Sequence, residues 1–190
     1  MRVLCTLLLL FGALQVMPQE SSLDTPRPFV INEAVALPLS MAQVELAARE
    51  AWQYSFGQQP GAQLVLDDAG TGRVEGIARY NYRSATVGSR EQTLGVITYK
   101  ISIQAENGQC RIRISHFIHS GNKNAPGGPV DLGTIYAGQR PAERVPGISA
   151  GTAQRLHQDM RTQVSAQVKE LIKAFSARMR QGVEERNPSK

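Results

Sequence analysis

Two adjacent stretches, Val96 to Gln104 and Cys110 to His119, limit most strongly what this chain can fold into. In the first, Ile97, Tyr99, Ile101 and Ile103 alternate with Thr98, Lys100 and Ser102. In the second, Cys110, Ile112, Ile114, His116 and Ile118 fall on one side, opposite Arg111, Arg113, Ser115 and Phe117. A period of two belongs to a strand, whose successive side chains leave on opposite faces. Asn107-Gly108 between the stretches is a tight-turn pair. The result is an antiparallel hairpin with one apolar face, and that face must be covered by something.

The rest of the chain supplies neighbours and covers. Phe29 to Leu37 alternates imperfectly, with Phe29, Ile31, Val35 and Leu37 on one side and Glu33 as the flaw. After Pro38, Ser40 with Gln43 three residues on predicts a helix start. Met41, Val44, Ala48, Trp52 and Phe56 give that helix one apolar stripe, and Gly57 with Pro60-Gly61 ends it. Ala62 to Asp67 and Arg73 to Arg83 predict two more strands, the second with Val74, Gly76, Ala78, Tyr80 and Tyr82 together. Gly121 to Gly151 is rich in glycine and proline and aperiodic, which predicts a long surface loop that is either functional or mobile. Residues 152–181 predict a long helix striped by Leu156, Met160, Val164, Val168, Leu171, Ile172, Phe175 and Met179. A disordered tail is expected over 182–190.

Strand, helix, four strands, helix is an α+β order: a curved antiparallel sheet of about five strands with the helices packed on one face. The block from Met41 to Asn122, with VITYKISI and CRIRISHFIHSG across an Asn-Gly turn and a Phe117–His119 ending, resembles a family of exported bacterial domains of unknown function. That family is described as having a TATA-binding-protein-like (TBP-like) fold. The resemblance implies such a fold over residues 29–120, and it implies no DNA binding, because fold and function separate readily.

The first residues indicate a compartment. Met1-Arg2 precedes an apolar run from Val3 to Met17, and polar residues follow. This is the layout of a signal peptide, expected over residues 1–20, and the run falls short of the ~20 residues that span a bilayer. The protein is therefore expected to be periplasmic or extracellular, with no transmembrane helix after cleavage. With 190 residues, 42% hydrophobic and 19% charged, the remainder suits one globular domain. Cys5 lies in the leader, so Cys110 stands alone, which excludes a disulfide framework and sites built on several thiolates. The net charge of +5 favours acidic partners, but there is no block of Lys and Arg of the kind nucleic-acid arms use.

Candidate chemistry is sparse. His116 and His119 are three apart on a strand and point to opposite faces unless a bulge intervenes, so neither a metal nor an acid–base pair is expected. His116 is expected at the rim of the core, with His119 and His157 at the surface. Ser115 lacks a placed base, and Cys110 fits a small buried hydrophobe. Asp67-Asp68 near Gly70 lacks the rest of a Ca²⁺ loop, and Gly70-Thr71-Gly72 lacks the lysine of a phosphate loop. No cofactor and no catalytic residue is expected. Arg79, Lys100, Arg111 and Arg113 fall on polar strand faces with Ile77 and Phe117 among them: either a solvated face of long amphipathic side chains, or a basic-apolar platform for an acidic glycan, lipid head group or envelope protein. The alternative is a hydrolase-like enzyme with its site between the 121–151 loop and the sheet.

The leader generates the first prediction. Protein recovered from the exported fraction is expected to start after residue 13 and by about residue 22. Intact-mass measurement checks this, and retention of Met1 to Leu10 there would refute it.

Overall fold

The computed structural model describes residues 25–68, 70–86 and 93–186, and the expected leader and residues 187–190 lie outside them. The elements are β1 (Ile31–Ala36), α1 (Met41–Gln53), β2 (Gln63–Asp68), β3 (Arg73–Tyr82), β4 (Gly95–Glu106), β5 (Gln109–Gly121), a two-residue β6 (Gly133–Thr134) and α2 (Ala150–Arg186). Five strands form one antiparallel sheet in the order β1-β5-β4-β3-β2. β6, which the sequence does not announce, pairs with the far half of β5. Helix α2 starts two residues earlier than its stripe indicates and runs on to Arg186. Ser149 starts it: its Oγ accepts the Thr152 N–H at 3.2 Å.

The alternating apolar residues meet in rows. Val74, Ile103 and Ile112 lie side by side across β3, β4 and β5, and Gly76, Ile101 and Ile114 form the next row. Both helices lie over this face, bringing Val44, Ala48 and Trp52 from α1 and Leu156, Met160, Val164, Val168 and Phe175 from α2 into one core. Gly76 makes a seat for the indole: a Cβ there would lie 2.3 Å from the Trp52 ring. The hairpin tip also fixes the helix start. Asn107 Oδ1 accepts the Met41 N–H at 2.8 Å, while Gln43 Oε1 accepts the Ser40 N–H at 3.1 Å.

The regular alternation of β5 breaks in its middle. Lys100 pairs with Ser115 but Thr98 pairs with Ile118, so Tyr99 faces two residues, His116 and Phe117. This is a β-bulge, and His116 occupies it with φ +56, in the left-handed region. Past the bulge the faces exchange. Phe117, expected on the polar face, is 1% exposed and packs its ring 5.1 Å from Phe29 and 5.6 Å from Tyr99. Ile118, expected in the core, is 45% exposed, and His116 is exposed rather than at the core rim. A left-handed non-glycine residue costs ~1–2 kcal/mol, and the exchange gives up the burial of Ile118 for that of the larger Phe117 ring.

The 121–151 segment is built into the core. Val130, Leu132, Ile135 and Val145 are all buried. The Phe29 N–H donates to Ile135 O at 2.8 Å and the Ile135 N–H to Phe117 O at 2.9 Å, so the segment continues the sheet edge before β1 begins. The glycines and prolines thus serve a tight wrap around β5.

The exchange of faces is directly testable. Phe117→Ala is expected to lower stability by ~3–5 kcal/mol, and Ile118→Ala by less than ~1 kcal/mol. Chemical denaturation of both variants checks it; the reverse ranking would restore unbroken alternation.

Candidate functional site

The face of the sheet away from the helices carries its polar residues in rows as regular as those of the core. Ala34, Arg111, Gln104 and Arg73 form one row across β1, β5, β4 and β3, and Asn32, Arg113, Ser102 and Glu75 form the next. Strands lie about 4.8 Å apart, so these rows bring residues from four strands to one place. They line an open groove of about 850 Å³ whose walls include Asn32, Arg73, Glu75, Ser102, Arg111 and Arg113.

Charge in the groove is partly compensated from within. Glu75 is only 7% exposed. Its Oε2 receives Lys100 Nζ at 2.8 Å, and its Oε1 receives Arg73 through Nε at 3.1 Å and Nη2 at 2.5 Å. Hydrogen bonds from Lys100 and Arg73 hold the Glu75 carboxyl below the usual carboxylate range against the opposing effect of burial. Arg111 reaches Glu106 Oε2 at 3.2 Å, a solvent-exposed pair that restrains it little. Arg113 is exposed and makes no hydrogen bond or ion pair with any described residue. A guanidinium left in this state retains its full capacity for bidentate bonds to an oxyanion.

The expected platform is therefore redrawn. Arg111 and Arg113 stand together, and Lys100 is beside them but occupied by Glu75. Arg79 is four residues along β3 from Glu75, about 13 Å away, and packs its stem over Gly61 instead. Phe117 leaves the platform altogether, because the bulge turns it into the core. Arg73 and Glu75 were missed by sequence reasoning. Counting positions 73, 75, 77 and 79 opposite the apolar face of β3 would have found them.

The other sequence constellations are structural. His119 and His157, both expected at the surface, are 1% and 0% exposed. His119 Nδ1 accepts the Leu132 N–H at 3.3 Å, and its Nε2 sits where a Cβ on residue 95 would be 2.3 Å away, so that position is glycine. His157 Nε2 accepts the Tyr136 N–H at 2.9 Å. Each imidazole thus holds the wrapping segment down. Ser115 Oγ lies 2.9 Å from His116 Nδ1, a local contact with no third orienting group among the described residues. Cys110 is buried, which pushes its thiol up to about 12. The glycine-rich turn after β2 is filled by the chain's own carboxylate: Glu45 accepts the Gly70 and Gly72 N–H groups at 3.1 and 3.2 Å and Arg49 at 2.8 Å. Among the described residues no three His, Cys, Asp or Glu side chains are grouped to hold a metal. Among them, too, no helix is long and apolar enough to cross a membrane.

No protein-family model matches this chain, and no curated protein matches it either. Solved structures do. A TBP-like protein from Parabacteroides distasonis ATCC 8503 superposes with a TM-score of 0.51 at 10% identity, over 78% of this chain and 92% of that one. A DUF4468 family protein from Bacteroides ovatus ATCC 8483 gives 0.49 at 12% identity, over 78% of this chain and 86% of that one. The fold is TBP-like. At this identity the likeness concerns the backbone arrangement alone.

The buried histidines make stability acid-sensitive. Burial lowers His119 to about 4, against the opposing pull of Asp131, and burial with Arg161 and Arg140 lowers His157 to about 4. Both stay neutral when folded, whereas the unfolded chain takes up protons from near pH 6.5 downward. Their contribution is complete above that value and is lost as pH falls toward 4. The expected loss between about pH 7.5 and about pH 5 is roughly 2 kcal/mol per histidine. Denaturant melts over this range check it, and the slope is expected to flatten in His119→Asn and His157→Gln. An unchanged slope in the double variant would refute the assignment.

Proposed function

We propose that this chain is an exported, non-enzymatic binding module that takes an anionic group on the open face of its sheet. Arg113 and Arg111 make the contact, and Arg73, Asn32 and Ser102 frame it. The observation that carries this reading is Arg113, a groove-lining guanidinium without a partner among the described residues, two positions from Arg111 on one strand. Of the two carboxylates that line the groove, Glu75 is neutralised by Lys100 and Arg73, while Glu33 belongs to its β1 wall. Oxygens of carboxylate or phosphate, as carried by an acidic glycan or a lipid head group at an envelope, suit two arginines on a flat platform. Nucleic acid is not the expected ligand for an exported chain. The hydrolase reading has less support, because the junction of the 121–151 segment with the sheet is filled by Val130, Leu132 and Ile135, and its histidines are bonded to backbone.

Replacing Arg111 and Arg113 together with Ser tests the reading. Stability is expected to stay within ~0.5 kcal/mol per site, while retention on an anionic polysaccharide or phospholipid matrix at low salt falls. Unchanged retention would refute it.

A further inference from the structure

β1 is an outer strand, hydrogen-bonded to β5 along one side and, among the described residues, to nothing along the other. Facing that free edge is one stripe of α2. Ile172, Ser176, Lys169, Arg180 and Lys173 fall within about 100° of each other around the helix. Two open hollows run between strand and helix. One of about 430 Å³ is walled by Ile31 and Glu33 of β1 and by Lys169, Ile172, Lys173 and Arg180 of α2. The other, of about 460 Å³, is walled by Phe29, Ala137, Arg161 and Ser165, and shares Lys169 with the first. The floor is apolar: Ile172 is buried, and Phe29 and Ile31 are half-buried against the core. The rim is cationic. Lys169 and Arg180 are exposed and have no ion pair among the described residues. Lys173 has only Glu170 at 3.9 Å, both side chains being at least three-quarters exposed. Glu33 is the carboxylate in this stretch of wall.

From this geometry we infer that the β1 edge and α2 form a peptide-binding groove. Its occupant is an extended acidic segment of another protein, added as a seventh strand beside β1. The backbone of β1 supplies a row of unused N–H and C=O groups, which a strand satisfies and a helix does not. Side chains of an added strand alternate, so every second one points toward α2. An aliphatic residue there meets Ile31 and Ile172, and acidic residues two positions away on either side meet Lys169, Lys173 and Arg180. A second copy of this chain fits poorly, since pairing through β1 would bring two such cationic rims together. The site abuts the arginine groove of the other sheet face, with which it shares Asn32 and Glu33 of β1, but its cations come from α2 and not from β5.

The probe is an acetylated, amidated heptapeptide of sequence Thr-Glu-Thr-Val-Thr-Glu-Thr, titrated into the full mature protein and followed by amide chemical shifts. Shifts are expected along residues 31–36 and on the 162–176 face of α2, saturating below about 1 mM. Lys169→Glu with Lys173→Glu, both exposed, is expected to weaken binding about tenfold or more. N-methylation of alternate peptide bonds in the probe is expected to abolish it, which separates strand addition from charge attraction. The Arg111→Ser, Arg113→Ser variant is expected to bind the probe as the parent does. No shift at β1 by about 1 mM, equal binding of a Lys-for-Glu probe, or equal binding of the N-methylated probe would each overturn the proposal. So would a dimer in sedimentation that the Lys169→Glu, Lys173→Glu variant abolishes, because a second copy would then own the edge.

Discussion

The apolar ladder of the β4–β5 hairpin is the element on which the other parts depend. Ile97, Tyr99, Ile101 and Ile103 on one strand and Cys110, Ile112 and Ile114 on the other are each at most 1% exposed. They reach that state only because α1 and α2 lie across them. At about 25 cal/mol per Å² of apolar area removed from water, this burial outweighs any one hydrogen bond among the described residues, each worth about 1 kcal/mol. The hairpin also sets the position of its neighbours: β3 and β1 add to its two sides, and Asn107 at its tip receives the first N–H of α1. The polar ties to α2 are secondary supports. Tyr82 Oη donates to Asp159 Oδ2 at 2.6 Å, and Tyr80 Oη donates to Gln163 Oε1 at 3.0 Å, holding the end of β3 to the helix.

The bulge at His116 decides what happens along the second half of β5. Without it, Phe117 and His119 would face water and Ile118 would face the core. With it, Phe117 joins Phe29 and Tyr99, and His119 turns inward to hold the Leu132 N–H. The segment from Gly121 onward can then close over the end of the sheet and be fastened by His119, His157 and Arg161, the last donating to the carbonyls of Ala137 and Gly138. One left-handed residue thus converts an aperiodic, glycine-rich stretch into part of the core.

The two sides of the sheet use charge differently. On the open face the carboxylate of Glu75 is drawn in among cations, so that Arg73 and Lys100 are spent on it and Arg113 is left over. On the helix side, Glu45 stays charged under α1 because, although burial raises its carboxyl, Gly70, Arg49 and Gly72 together lower it further. The same residue type therefore closes a turn in one place and shapes a surface in another. What differs is that Glu45 adds two backbone N–H groups to its arginine, whereas Glu75 is held by cationic side chains alone.

The sequence by itself determined five of the strands, the two helices, their order, and the apolar faces of β1, β3, β4, the near half of β5 and both helices, because periods of 2 and 3.6 are local properties of the chain. It also determined that Arg111 and Arg113 share a face. Tertiary structure alone decided the rest. The bulge depends on Tyr99 of a neighbouring strand facing two residues at once, and nothing within CRIRISHFIHSG marks where alternation stops. The burial of His119 and His157 depends on backbone N–H groups from a segment between them in sequence, brought close only by folding. The pairing of Lys100 with Glu75 depends on register across β3 and β4, where long-range contacts, not neighbours in sequence, choose which cation is occupied and which remains free.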